Sequence, residues 1–135
     1  MAVSANQLIS RQAGEKIRYP VAASTHIYQG TLVFEAGGYA DDDTATGANP
    51  FVGVAIAEAD NSSGANGAVD VEVWAEGVFE LVGSGFAQTD VGSLVYASDN
   101  YTVTTTSTSN SIIGRIVEFV SATKVRVKIE TVIDQ

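Results

Sequence analysis

Three short stretches of this chain occur twice, in the same order. Gly30-Thr-Leu-Val-Phe34 returns as Gly92-Ser-Leu-Val-Tyr96. Phe51-Val-Gly53-Val-Ala-Ile56 returns as Ile112-Ile-Gly114-Arg-Ile-Val117, and Val69-Asp-Val-Glu-Val-Trp74 returns as Val125-Arg-Val-Lys-Ile-Glu130. The spacing shortens along the second copy, as a trimmed polar loop requires. Self-similarity of this kind constrains architecture before any residue is read singly. Two copies are too few for a solenoid. The expectation is one domain built from a duplicated β-unit, with copies at 30–78 and 92–133.

The pattern within each stretch is that of strands. Val69, Val71 and Val73 alternate with Asp70, Glu72 and Trp74, and Val125, Val127 and Ile129 alternate with Arg126, Lys128 and Glu130. Period-2 alternation is the mark of a half-buried strand. Phe51 to Ala57 is a continuous apolar run, as in a strand buried on both faces, and Gly53 inside it marks a bulge or a close backbone approach. Lys124 to Val132 pairs with Ile112 to Val120 across a turn at Ser121 to Thr123. Tyr101 to Thr106 reads as a strand from its β-branched threonines.

Ile17 to Val21 is a further extended segment, and because proline has no N–H to donate, Pro20 places this strand on a sheet edge or ends it there. Asp41 to Pro50 and Asp60 to Gly67 read as polar loops, the second closing on Asn66-Gly67, a tight turn with φ > 0 expected at both residues. No stretch is a convincing amphipathic helix, apart from a single turn around Gly85 to Val91. Short strands at regular spacing predict an all-β fold: one small β-barrel or clip-like domain over residues 17–135.

Residues 1–16 form a separate polar segment with one apolar pair, Leu8 and Ile9. Two readings compete there: a frayed terminus, or an arm that orders on a partner through those two residues. Trp74 also has two readings, since it stands opposite the valines of its strand. A second layer covers it, or it lies in a contact between subunits, where tryptophan is enriched. Phe79 extends the same patch.

Composition narrows the function. The 16 acidic and 7 basic residues leave a net charge of −9. A nucleic-acid binder needs a positive footprint to displace counterions from phosphates, so nucleic acid is not an expected partner. Arg115, Lys124, Arg126 and Lys128 read as a solvated strand face. No apolar run approaches the ~18 residues of a membrane span, and no secretory leader is visible in the first residues. Absent cysteine removes thiol chemistry and cysteine-ligated zinc, which fits synthesis in cytoplasm.

Candidate chemistry is sparse. His26 is the single histidine and stands in no recognisable triad pattern, so it reads as a surface or packing residue. Asp41, Asp42 and Asp43 are adjacent, whereas calcium loops place their acids at alternate positions and end in a glutamate. Gly83-Ser-Gly85 lacks the spacing of a phosphate cradle and reads as a turn. No catalytic, metal-binding or cofactor-binding residue is expected.

The ordered set of Gly-x-Leu-Val at 30–33, Val-Gly-Val-Ala at 52–55, Val-x-Val with Glu-Gly-Val at 71–78, Gly-x-Leu-Val-Tyr at 92–96, Ile-Gly-Arg-Ile-Val at 113–117 and Val-x-Val-x-Ile at 125–129 resembles the capsid decoration, or cement, proteins of tailed double-stranded DNA phages. The resemblance covers about residues 17–133. It implies a non-enzymatic protein on the outside of an expanded phage head, where trimers clamp neighbouring major capsid subunits. It also implies that residues 1–16 form an extended capsid-binding arm, with Gln7, Leu8, Ile9 and Arg11 as contacts; for a trimer, the contact reading of Trp74 and Phe79 given above makes them the candidate subunit-interface residues. The alternative class is another virion β-module, a head fibre, tail or adhesin piece, with Tyr39 and Tyr101 as the exposed aromatics for a receptor or glycan. A carbohydrate-acting enzyme is a third class, requiring two converging carboxylates.

Overall fold

A computed structural model describes residues 5–6, 14–42, 49–107 and 110–131. Among the described residues twelve strands follow in chain order: β1 (Lys16–Pro20), β2 (Thr25–Ile27), β3 (Leu32–Ala36), β4 (Tyr39–Asp41), β5 (Phe51–Ala55), β6 (Ala59–Asn61), β7 (Asp70–Trp74), β8 (Val78–Val82), β9 (Leu94–Ala97), β10 (Val103–Thr104), β11 (Ile112–Ser121) and β12 (Lys124–Ile129). One turn of 3-10 helix, Gln88–Asp90, lies between β8 and β9. The fold is all-β, as the alternation patterns require.

Ten of the strands form two five-stranded sheets with one strand order. The first runs β1-β7-β5-β3-β4 and the second β8-β12-β11-β9-β10. Each sheet also curls until its outer strands meet, through a parallel bridge of Val21 with Ala40 in the first and Val82 with Thr102 in the second. Each unit thus takes in a strand ahead of the stretches that repeat in sequence. Val78 lies in β8, within the second sheet.

The duplicated residues do duplicated work. In the first sheet Val33 pairs with Gly53 and Phe34 with Phe51, leaving Val52 as an extra residue. In the second, Val95 pairs with Gly114 and Tyr96 with Ile112, leaving Ile113 as the extra residue. The same β-bulge therefore sits one residue before the same glycine, and it adds the local twist that lets a short sheet curl. The last strand is where the sequence match slips. Val54 pairs with Trp74, and Arg115 pairs with Lys128, so Trp74 stands where Lys128 does, not where Glu130 does. A shift of two residues keeps every side chain on its face, because strands have period 2.

Two clusters of buried side chains make the core. Leu32, Phe34, Phe51 and Val54 of the first sheet pack with Leu81, Val95, Ile113, Ile116, Val125, Val127 and Ile129 of the second. Val33, Val52, Ala55, Val71 and Val73 point the other way and are capped by Val21, Ile27 and Ala59, on and beside the two-stranded ribbon of β2 and β6. The first sheet is therefore covered on both faces. That is why all five residues of β5 are buried, and why its sequence is apolar without alternation.

The Asp60–Gly67 stretch is less of a loop than its composition suggests. Ala59–Asn61 pairs with β2, and Asn61 is only 2% exposed. Its amide nitrogen donates to the carbonyls of Val21, Ala22 and Ala65 at 3.2, 3.0 and 2.9 Å. Asn66-Gly67 does turn the chain, with Ala68 N–H donating to Ala65 O at 3.1 Å, but only Gly67 has positive φ, at 77°. Asn66 instead uses its side-chain oxygen to accept from Ala23 N–H at 2.7 Å. In the Tyr101–Thr106 stretch, pairing is limited to Val103–Thr104 of β10 and the bridge of Thr102 to Val82. Asp99 captures the N–H groups of Tyr101 and Thr102 in a turn, both at 2.7 Å, so the chain is not extended there.

Candidate functional site

β1 and β8 are the edge strands that the sheet order leaves at corresponding places. Among the described residues β1 pairs with β7 alone along its length, which puts Pro20 on an edge as its missing N–H demands. β8 pairs with β12. Beside β8 the two sheets do not close fully on each other, and a groove of about 280 Å³ remains. Val54, Ile56 and Trp74 of the first unit form one wall, and Phe79, Glu80 and Leu81 of β8 the other.

Trp74 ends β7 and is half-buried. Its side chain lies on the face of the first sheet that turns toward the second, since Val71 and Val73 occupy the opposite face. It is thus partly covered within its own chain. The Lys16 ammonium sits 4.8 Å from the ring centroid, a cation–π contact worth about 0.5–1 kcal/mol where solvent reaches it. Phe79 is half-buried and packs against the inter-sheet core. Gly77, at φ 136°, brings its backbone under that ring; a Cβ there would meet Phe79 at 3.1 Å. The structure therefore brings Trp74 and Phe79 to one groove, as the patch reading expected. Gln7, Leu8, Ile9 and Arg11 lie outside the described residues. Lys16, counted with the arm in sequence, is the first residue of β1, and the Glu15 carbonyl accepts from Ala75 N–H at 2.8 Å.

The remaining candidates fall elsewhere. His26 lies on the β2–β6 ribbon, bonded to Glu58 at 2.5 Å and stacked on Tyr28 with centroids 4.1 Å apart. Among the described residues no group of three His, Asp or Glu side chains is placed to hold a metal ion, and Asp43 lies outside them. Gly83 serves the sheet closure: a Cβ there would collide with the Val103 carbonyl across the seam and press on Phe86. No helix among the described residues is long and apolar enough to cross a membrane.

A groove at an open sheet edge, framed by aromatics, is the geometry of a protein contact. The family model for phage cement proteins matches residues 11–131. The chain belongs to that family. No curated protein and no solved structure matches it. A cement protein is a structural component of the phage capsid, and its working parts are surfaces.

The outer face of β8, β12 and β11 holds Lys124 and Arg126 against Glu80 at 3.7 and 3.9 Å, and Arg126 against Glu118 at 3.1 Å. These exposed pairs contribute little individually, and they match the solvated strand face expected of these cations. Arg115 donates to the Gly92 carbonyl at 2.9 Å, which ties β11 to the turn before β9. Sequence reasoning did not single out β8 as an edge. Its signal was present in the contrast between Lys-x-Arg-x-Pro at 16–20 and Val-x-Glu-x-Val at 78–82, but the contrast has meaning only once both strands are known to be edges.

Proposed function

We propose that this cement protein binds the outside of the expanded phage capsid as a trimer and clamps neighbouring major capsid subunits. The family match over residues 11–131 carries the reading. The physical task suits the fold. Packed DNA pushes a shell outward, and many modest contacts repeated over its surface add up through multivalency. A curled, doubly layered β-domain holds its contact residues on hydrogen-bonded strands, so little conformational entropy is lost on docking. In this reading the segment with Gln7, Leu8, Ile9 and Arg11 reaches along the shell. The acidic balance of the chain is no obstacle, since a shell exterior need hold nothing anionic.

Co-sedimentation tests it. The purified chain is mixed with expanded, undecorated heads of its phage and, separately, with unexpanded proheads. Saturable binding to expanded heads alone is the expected result. Equal binding to both, or to neither, would refute the reading.

A further inference from the structure

The duplicated units place an edge strand at the same position, and they treat it differently. Tyr19 of β1 pairs with Val71, and Leu81 of β8 pairs with Val125. Val71 and Val125 correspond, so Lys16, Arg18 and Pro20 of β1 match Val78, Glu80 and Val82 of β8. In both strands these residues turn their backbone groups away from the sheet. Glu15 and Val21 bond to β7 through Ala75 N–H and Val69 O, and backbone direction alternates between them. Gly77 and Gly83 bond to β12 through Ile129 N–H and Thr123 O in the same way.

Lysine and proline on an edge discourage addition of another strand. β1 carries both. β8 carries neither: Val78 is 55% exposed, and the backbone groups of Val78 and Glu80 face outward. Among the described residues the strand contact on that side of β8 is the Val82–Thr102 bridge, beyond these two residues. The space before this edge is shaped as well. Phe79, Glu80 and Leu81 line the groove consecutively, so it follows the strand's backbone and not one face of it. Trp74, Ile56 and Val54 wait on the opposite wall.

We propose that this groove receives one extended strand of the capsid shell, which adds to β8 and seats an apolar side chain against Trp74 and Phe79. The proposal rests on the capsid-binding reading above and names where the shell is gripped. Charge selects the occupant. Glu80 lines the groove at that edge, while the Lys124 and Arg126 that approach it project from β12, on the other side of β8. Lys16, on the far rim, is held over the Trp74 ring. A second copy meeting β8 by its own β8 would bring Glu80 against Glu80, in a chain of net charge −9. The matching strand carries a lysine or arginine beside its apolar residue, because opposite charges across a strand pair are favourable and like charges are not.

Amide hydrogen exchange on the full chain, free and bound to expanded, undecorated heads, tests the proposal. The outward N–H groups of Val78 and Glu80 exchange freely in the unbound protein and slow by about tenfold or more when bound, as amides entering a sheet do. Glu80→Pro copies the protection of β1 without removing a bond to β12, and it lowers affinity for heads by about tenfold, the worth of one or two lost hydrogen bonds. Glu80→Gln keeps the N–H but removes the charge that selects the incoming strand, so it lowers affinity by about threefold, less than Glu80→Pro does and of the size of a surface ion pair. If wild type binds heads while Val78 and Glu80 stay unprotected, the proposal falls and capsid binding stands. If the two amides become protected in free protein as its concentration rises, the occupant is a second copy and the proposal is overturned. If wild type binds no heads, both readings fail together.

Discussion

Gly53 lies against the carbonyl of Trp74 so closely that a Cβ on it would collide with that oxygen and press on the Val73 side chain at 2.8 Å. Its counterpart in the second unit repeats the contact: a Cβ on Gly114 would collide with the Lys128 carbonyl and meet Ile129 Cα at 3.0 Å. The obstruction is backbone in both cases, so no rotamer change relieves it. Gly114→Ala is expected to cost about 1–3 kcal/mol, the range of core overpacking. Gly53→Ala costs more, since φ is 151° there and a side chain adds about 1–3 kcal/mol of backbone strain. Urea unfolding measures both; midpoints equal to wild type would show that the strands can separate at no cost.

Asn61 fastens the ribbon of β2 and β6 to the first sheet. Its two amide hydrogens serve three backbone carbonyls from a site only 2% exposed. Asn61→Ala leaves the Ala22 carbonyl without its donor, while Val21 O keeps Gly67 N–H and Ala65 O keeps Ala68 N–H; a carbonyl left unpaired where water does not reach costs about 1–3 kcal/mol. The expected result is a lower unfolding midpoint, with amide protection lost first at Ala59 and Ile27. Uniform loss of protection across the chain would argue that the ribbon is no separate layer.

Trp74 is the chain's single tryptophan, so its fluorescence reports one environment. Lys16→Gln removes the ammonium over the ring and should lower stability by about 0.5–1 kcal/mol, with a shift of the emission maximum in the folded protein. An unchanged spectrum would mean that lysine and ring do not meet in solution.

Acid should loosen the turn between β9 and β10. Partial burial raises the Asp99 pKa, but the N–H groups of Thr102 and Tyr101, with the Thr102 hydroxyl, stabilise its charge and bring it below the ordinary value. A carboxylate with a depressed folded pKa contributes stability above its unfolded value of about 3.9, and the contribution disappears as pH falls through the folded pKa. Asp60 is lowered in the same sense by the Ser62 hydroxyl and N–H. Unfolding midpoints taken from pH 5 down to 2 should therefore fall. Asp99→Asn keeps an acceptor oxygen without a charge, so its decline should be shallower. Parallel curves would remove Asp99 as a contributor.

In the arm reading, deletion of residues 1–13 leaves the unfolding free energy within about 0.5 kcal/mol of wild type, as surface changes do. Residues 14–16 are kept because Glu15 bonds to Ala75 and Lys16 begins β1. Occupancy on expanded heads should fall. Equal occupancy by the truncated chain would end the arm reading.

Much of this arrangement was legible in the chain itself. The alternation at 69–74 and 125–130 assigned buried faces correctly, the run at 51–57 announced a strand covered on both sides, and Pro20 marked an edge. These features are local, and local sterics and burial determine them. The repeated glycines pointed to close approach, though not to the neighbour approached. Trp74 was left between two readings because a tryptophan opposite a valine face says nothing about how far the next sheet reaches over it.

Strands, their inward faces and the duplication follow from the order of residues, since period, β-branching and turn residues act within a few positions of one another. Long-range packing fixed the two-residue slip of the last strand, because a period-2 pattern reads the same after such a shift. It also decided the burial of Asn61, whose carbonyl partners at Val21 and Ala22 are 40 and 39 residues away in the chain. It decided, finally, that β8 ends its sheet as β1 does. Whether a strand's outer N–H groups find a neighbour depends on which distant segments arrive beside it, and no local pattern encodes that.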